Sequence, residues 1–194
     1  MRAAAIREFG SLDKIKIEEL PTPQPKPNEV QIKVHYAGLN PVDWKITMGY
    51  LKDRMPYQFP IILGWEMAGV ISALGTRSTT LKVGDPVYAY CRKEKIQEGS
   101  CAEFICLPAE NVAIKPSSLS FAQAAGVPLA ALTAWQTLFE AGQLKKGQKV
   151  LIHAGAGGVG GYAIQLAKYR GAFVYTTASA ANTDYVKKLG VPIM

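Results

Sequence analysis

The run Gly155-Ala156-Gly157-Gly158-Val159-Gly160 constrains this chain more than any other feature. The residues before it, Lys149-Val150-Leu151-Ile152-His153-Ala154, form a short, nearly continuous apolar segment that suits a buried strand. The residues after it, Tyr162 to Lys168, lack Gly and Pro and suit a helix. The spacing is G-x-G-x-x-G in the strand–turn–helix context that gives the pattern its meaning. Gly155 is expected to permit the tight turn, Gly157 to let the backbone approach a pyrophosphate, and Gly160 to let helix and strand pack closely. The helix start would then face the anion with N–H groups that lack partners within the helix. The six residues Gly155, Ala156, Gly157, Gly158, Val159 and Gly160 are therefore the expected dinucleotide cradle.

About twenty residues further on, an NAD site carries Asp or Glu for the ribose hydroxyls. Here a second strand, Ala172 to Thr177, runs into Ala178-Ser179-Ala180-Ala181-Asn182 without an acid, and Asp184 falls inside the following helix. A carboxylate at the strand end would repel a 2′-phosphate. Its absence favours NADP(H), with Ser179 and Asn182 as neutral hydrogen-bonding groups. Ser179 can also cap the helix that follows. No Arg or Lys stands in this loop, so the charge partner of a phosphate has to come from elsewhere.

Upstream, Val30, Ile32, Val34 and Tyr36 alternate with Gln31, Lys33 and His35, the period of a half-buried strand. Strand-like runs follow at 67–74, 86–90 and 103–107, separated by Gly, Pro and Asp. Residues 20–28 hold four prolines and suit an extended connection. Residues 121–125 and 129–141 suit helices, with Pro128 at a helix start and Gly142 at a helix end. A β-rich unit thus precedes helices that lead into a strand–helix–strand unit.

The order of motifs resembles the medium-chain dehydrogenase/reductase superfamily, and most closely its zinc-independent quinone oxidoreductase (zeta-crystallin-like) branch. The resemblance rests on Ala37-Gly38-Leu39-Asn40-Pro41-Val42-Asp43, Leu63-Gly64-Trp65-Glu66-Met67-Ala68-Gly69, Val83-Gly84-Asp85-Pro86-Val87, Pro128 to Trp135, and the glycine run. It implies an α/β chain in which a GroES-like, β-rich catalytic domain, residues 1–120, precedes the first part of a Rossmann (doubly wound) NAD(P)-binding domain, residues 121–194. It also implies reduction of quinones or α,β-unsaturated carbonyls by hydride from NADPH, and a homodimer for the full-length form. Enoyl thioesters fall within the same substrate chemistry.

In the zinc-dependent branch, Cys and His ligands hold a catalytic zinc; the matching positions here are Asn40, Trp65 and the neighbourhood of Val127 and Pro128. An amide and an indole are poor zinc ligands. Cys91, Cys101 and Cys106 show no C-x-x-C spacing and suit inert, reduced thiols. No zinc is expected. Without a metal, hydrogen-bond donors must stabilise the charge that develops on the substrate oxygen. The resemblance puts Asn40 at the nicotinamide and substrate, and Thr133 beside the nicotinamide. Asp43, Tyr50 and Trp65 are further cleft candidates. Each has a plainer reading: Asn40 as a helix cap, Asp43 as a first-turn acid, Tyr50 and Trp65 as core aromatics, Thr133 bonded to its own helix. His35 and His153 suit structural roles.

Composition sets outer limits. With 48% hydrophobic and 19% charged residues, the chain can bury a core, which excludes disorder as its resting state. The formal charge of +7 favours an anionic dinucleotide by general steering. No basic run exceeds two residues, so nothing points to nucleic acid. The N-terminus shows no signal-peptide core, and no apolar run reaches the roughly 18 residues of a membrane span. The cytoplasm is the default location. A doubly wound fold needs about six strands, whereas the sequence supplies two. The chain is accordingly expected to be part of a longer enzyme and not competent alone; the alternative is a truncated, non-catalytic dinucleotide-binding or interaction protein.

Overall fold

A computed structural model describes residues 1–77 and 79–191. Contacts divide the chain into two compact units, Met1–Pro128 and Leu129–Met194.

The first unit is built from antiparallel strands. Strand β1 (Arg2–Ile6) pairs with β2 (Lys16–Glu19), and β3 (Glu29–Gly38) is the long strand that the alternation predicts. After helix α1 (Pro41–Thr47) come β4 (Ile61–Ile62), β5 (Glu66–Leu74), β6 (Pro86–Tyr90), β7 (Phe104–Pro108) and β8 (Val112–Ile114). They make a three-stranded sheet, β2-β1-β4, and a five-stranded sheet, β7-β3-β5-β6-β8. Alternate residues of the larger sheet converge on one core: Val30 and Ile32, Met67 and Ile71, Val87 and Ala89, Ile105 and Leu107. Burying each of the large side chains stabilises the fold by about 1.5–3 kcal/mol. A second cluster joins Ile46 of α1 to Ile6, Ile61, Leu63 and Ile96 and fixes α1 on the smaller sheet.

The alternation in β3 does not run through to its end. The β3–β5 register shifts between Val34 and Tyr36, so Tyr36 is exposed although it shares a phase with Ile32. A bulge adds one residue and turns the following side chains to the other face. Helix α2 (Phe121–Ala125) begins at Ser120, whose Oγ accepts from the Gln123 N–H at 3.2 Å. It packs Ala124 and Ala125 on Ala68 of β5, which assigns it to the first unit. The short strands β2, β4 and β8 carry too few residues for periodicity to reveal.

In the second unit, α3 (Pro128–Trp135) continues as a wider π-type turn over Gln136–Ala141, ending at Gly142 as the sequence suggests. Strand β9 (Lys149–Ile152), helix α4 (Gly158–Tyr169), strand β10 (Phe173–Thr176) and helix α5 (Thr183–Lys188) follow. The two strands pair in parallel, from Lys149 opposite Phe173 to Ile152 opposite Thr176. Helix α4 buries Gly160, Ala163, Ile164 and Ala167, the spacing of one helix face, against Ile152 and Val174. Among the described residues, β9 pairs with β10 alone. No described helix is long and apolar enough to cross a membrane.

Candidate functional site

The glycine run joins β9 to α4 in a turn tighter than the sequence suggests. The strand ends at Ile152, so His153 and Ala154 already belong to the turn. The residue in left-handed backbone is Ala154, with φ 53°, not Gly155. Gly155 is required for space: a Cβ there would stand 2.2 Å from the Thr176 Oγ1, which is itself fixed by donating to the Ile152 carbonyl at 2.7 Å. At Gly160 a Cβ would fall 2.2 Å from the carbonyl oxygen of Ala154, a turn residue. The turn is tied by Gly155 N–H to the Thr177 carbonyl at 2.9 Å, Gly157 N–H to the Ala154 carbonyl at 2.8 Å, and Ala154 N–H to the Thr177 Oγ1 at 3.1 Å.

Gly157 is the N-cap of α4, and Gly158 and Val159 open its first turn. A cavity of about 990 Å³ borders Gly157, Val159 and Gly160, and is also lined by every residue from Gly147 to Ala154. Side chains of a strand alternate between its faces, so a cavity touching them all runs along the edge of β9 that no described strand pairs with. Its upper end meets the glycine turn, where first-turn N–H groups and the helix dipole favour an anion. Further on, Ser179 precedes a short turn of 3₁₀ helix, and Asn182 Nδ2 donates to the Ser179 Oγ at 2.9 Å; both side chains are exposed. No carboxylate stands between Thr176 and Asn182. Thr133 is exposed and its hydroxyl donates to the Leu129 carbonyl at 2.7 Å, the plainer of its two expected roles.

The other expected site residues lie in the first unit, and only some of them meet. Asn40 is the N-cap of α1 and stands in a capping-box arrangement with Asp43. Asp43 is 5% exposed, and it accepts from the Asn40 N–H at 2.7 Å and from the Gly64 N–H at 3.0 Å through different oxygens. Burial pushes its carboxyl above the ordinary value, against the pull of those two backbone donors. The Asn40 Nδ2 donates to the Glu66 Oε1 at 2.6 Å. Trp65 meets Tyr90 edge-on, with ring centroids 6.5 Å apart, and the Arg92 guanidinium lies 5.8 Å from its ring. Tyr50 is exposed and packs on Trp44 at 5.7 Å instead.

Sequence reasoning missed Glu66. It stands just before the strand-like run at 67–74, where nothing local marks a partner, and only the fold brings it back to Asn40. The three cysteines are free thiols, Cys91 and Cys106 buried. Among the described residues no three His, Cys, Asp or Glu side chains group as metal ligands.

Residues 26–117 match the alcohol dehydrogenase GroES-like domain. A chloroplastic quinone-oxidoreductase homolog of Spinacia oleracea is 38% identical over 186 residues, covering 93% of this chain and 56% of that protein. A chloroplastic NADPH-dependent alkenal/one oxidoreductase of Arabidopsis thaliana is 38% identical over 200 residues, covering 100% of this chain and 51% of that protein. The solved quinone oxidoreductase of Coxiella burnetii superposes with a TM-score of 0.89 at 38% identity, over 100% of this chain and 61% of that one. The chain spans about half the length of the curated relatives it matches. It belongs to the medium-chain dehydrogenase/reductase superfamily, with a GroES-like domain followed by the start of a Rossmann-type unit.

Proposed function

We propose that this chain is the N-terminal portion of an NADPH-dependent oxidoreductase that reduces quinones or α,β-unsaturated carbonyls by hydride transfer without zinc. The observation that carries the reading is the Gly155–Gly160 turn, which starts α4 on glycines and leaves no room for side chains at Gly155 and Gly160. The names of two relatives, a quinone-oxidoreductase homolog and an NADPH-dependent alkenal/one oxidoreductase, support the same chemistry.

When bound, the nicotinamide supplies the hydride; the protein supplies position and charge stabilisation. The glycine turn holds the pyrophosphate. The Ser179 hydroxyl and the Asn182 amide would donate hydrogen bonds to a 2′-phosphate that a carboxylate would repel. Asn40 offers an N–H to the oxygen on which negative charge develops, and Asp43 fixes the start of the helix that carries Asn40. The donor set supports a metal-free reaction: the Asn40 amide is engaged with Glu66, and the Trp65 indole is engaged with Tyr90 and Arg92. The balance is one hydride from NADPH and one proton from solvent, giving hydroquinone or saturated carbonyl and NADP⁺.

Cofactor titration tests the reading. NADPH should bind more tightly than NADH, and Ser179→Asp should reverse the order. Tighter binding of NADH by the unmodified protein would contradict it.

A further inference from the structure

Glu66 opens β5 at 2% exposure. Its surroundings leave the carboxyl little freedom. A Cβ on Gly38 would stand 2.4 Å from its Oε1 and 2.7 Å from the Ala125 carbonyl oxygen, so strand β3 and helix α2 close on it from one side. The Ser100 Oγ donates to the Glu66 backbone carbonyl at 2.8 Å and anchors the residue itself. Out of this setting Oε1 receives the Asn40 Nδ2 at 2.6 Å.

A side-chain carboxamide has two orientations that exchange its donor and acceptor ends. One places an N–H on a carboxylate oxygen; the other sets oxygen against oxygen. The first is favoured by about the strength of a hydrogen bond to a charged group, while the second adds repulsion. We infer that Glu66 is a positioning residue that holds the Asn40 carboxamide with one Nδ2 hydrogen tied and the other presented as a donor. The inference rests on the proposed role of Asn40 at the reacting oxygen. It adds a preference: a fixed donor suits an oxygen gaining charge, as in a conjugated carbonyl or quinone under reduction.

The test compares the natural protein, isolated from its source, with Glu66→Gln, Asn40→Ala and the double variant. Glutamine nearly preserves shape but can face Asn40 with either end, so both carboxamide orientations become available. The Asn40 side-chain amide signals, read by nitrogen-15 NMR, should show one protected hydrogen in the natural protein and lose that protection in Glu66→Gln. With a quinone and NADPH, kcat of Glu66→Gln should fall about ten- to a hundredfold with KM little changed. The double variant should be no slower than Asn40→Ala. Unchanged amide signals in Glu66→Gln overturn the positioning role, as does full kcat in Glu66→Gln where Asn40→Ala is slow. Full kcat in Asn40→Ala overturns the proposed role of Asn40 in the reaction, and altered amide signals in Glu66→Gln would then still establish the tether. Gly38→Ala, whose methyl would press on the same Glu66 Oε1, should disturb the same amide signals.

Discussion

Gly160 lies against Ala154 so closely that a Cβ on it would stand 2.2 Å from the Ala154 carbonyl oxygen, whereas at Gly157 the same distance is 3.2 Å. The two glycines of one turn therefore answer to different demands. The backbone at Ala154 cannot retreat, because its N–H is bonded to Thr177 and its carbonyl to the Gly157 N–H.

Gly160→Ala should accordingly destabilise the second unit by about 1–3 kcal/mol, the usual cost of forcing atoms into a packed site. Gly157→Ala needs only a small local adjustment, and its φ of −80° is open to alanine. It should leave stability nearly unchanged and weaken NADPH binding, since its methyl occupies the anion side of the turn. Chemical denaturation and cofactor titration of both variants check this pair. Equal losses of stability would contradict it.

Asp43 gives a pH-dependent prediction. Burial raises its folded-state value above the 3.8 of a free aspartate. A proton is then held more tightly in the folded protein. The stability this contributes is complete below the unfolded value and is lost as pH rises through the folded one. Asp43→Asn removes that slope, so the natural protein should gain on the variant as pH falls through this window. The variant should also be less stable at neutral pH by about 1–3 kcal/mol, because an NH₂ must face either the Asn40 or the Gly64 N–H. Denaturation across a pH series measures both effects; identical profiles would contradict the assignment.

How much of this was legible beforehand depends on the range of the interaction. The Gly155–Gly160 turn, the capped start of α1 and the alternation of β3 are local, and local patterns announce them. The Asn40–Glu66 bond joins residues 26 apart in sequence, and the stop at Thr176 that makes Gly155 indispensable comes from the neighbouring strand. No spacing rule contains either. The bulge in β3 is equally silent: it exposes Tyr36 in a segment whose alternation reads straight through. Tyr50 shows the same limit from another side: its plainer reading as a core aromatic does not hold, since its ring is exposed and packs edge-on against Trp44.

The thiols supply a chemical check on burial. Burial pushes Cys101 and Cys106 up to about 11 and raises Cys91 further. A thiol at that value is thiolate on the order of one part in a thousand at pH 8, and only the thiolate reacts. Iodoacetamide should label all three cysteines slowly in the folded chain and rapidly in urea. Labelling of any of them in the folded protein at the rate of a free cysteine would contradict their placement.

Reduction of a conjugated acceptor by NADPH is the central property to measure. Protein isolated from its own source, in the length in which it is made, and treated with chelator, should consume NADPH in the presence of a quinone or an enone. The loss of NADPH absorbance should match the reduced product one for one, and at limiting NADPH should fall when Gly157 is replaced by alanine. No NADPH consumption with either acceptor, or consumption that stops on chelator treatment and returns with zinc, would contradict it.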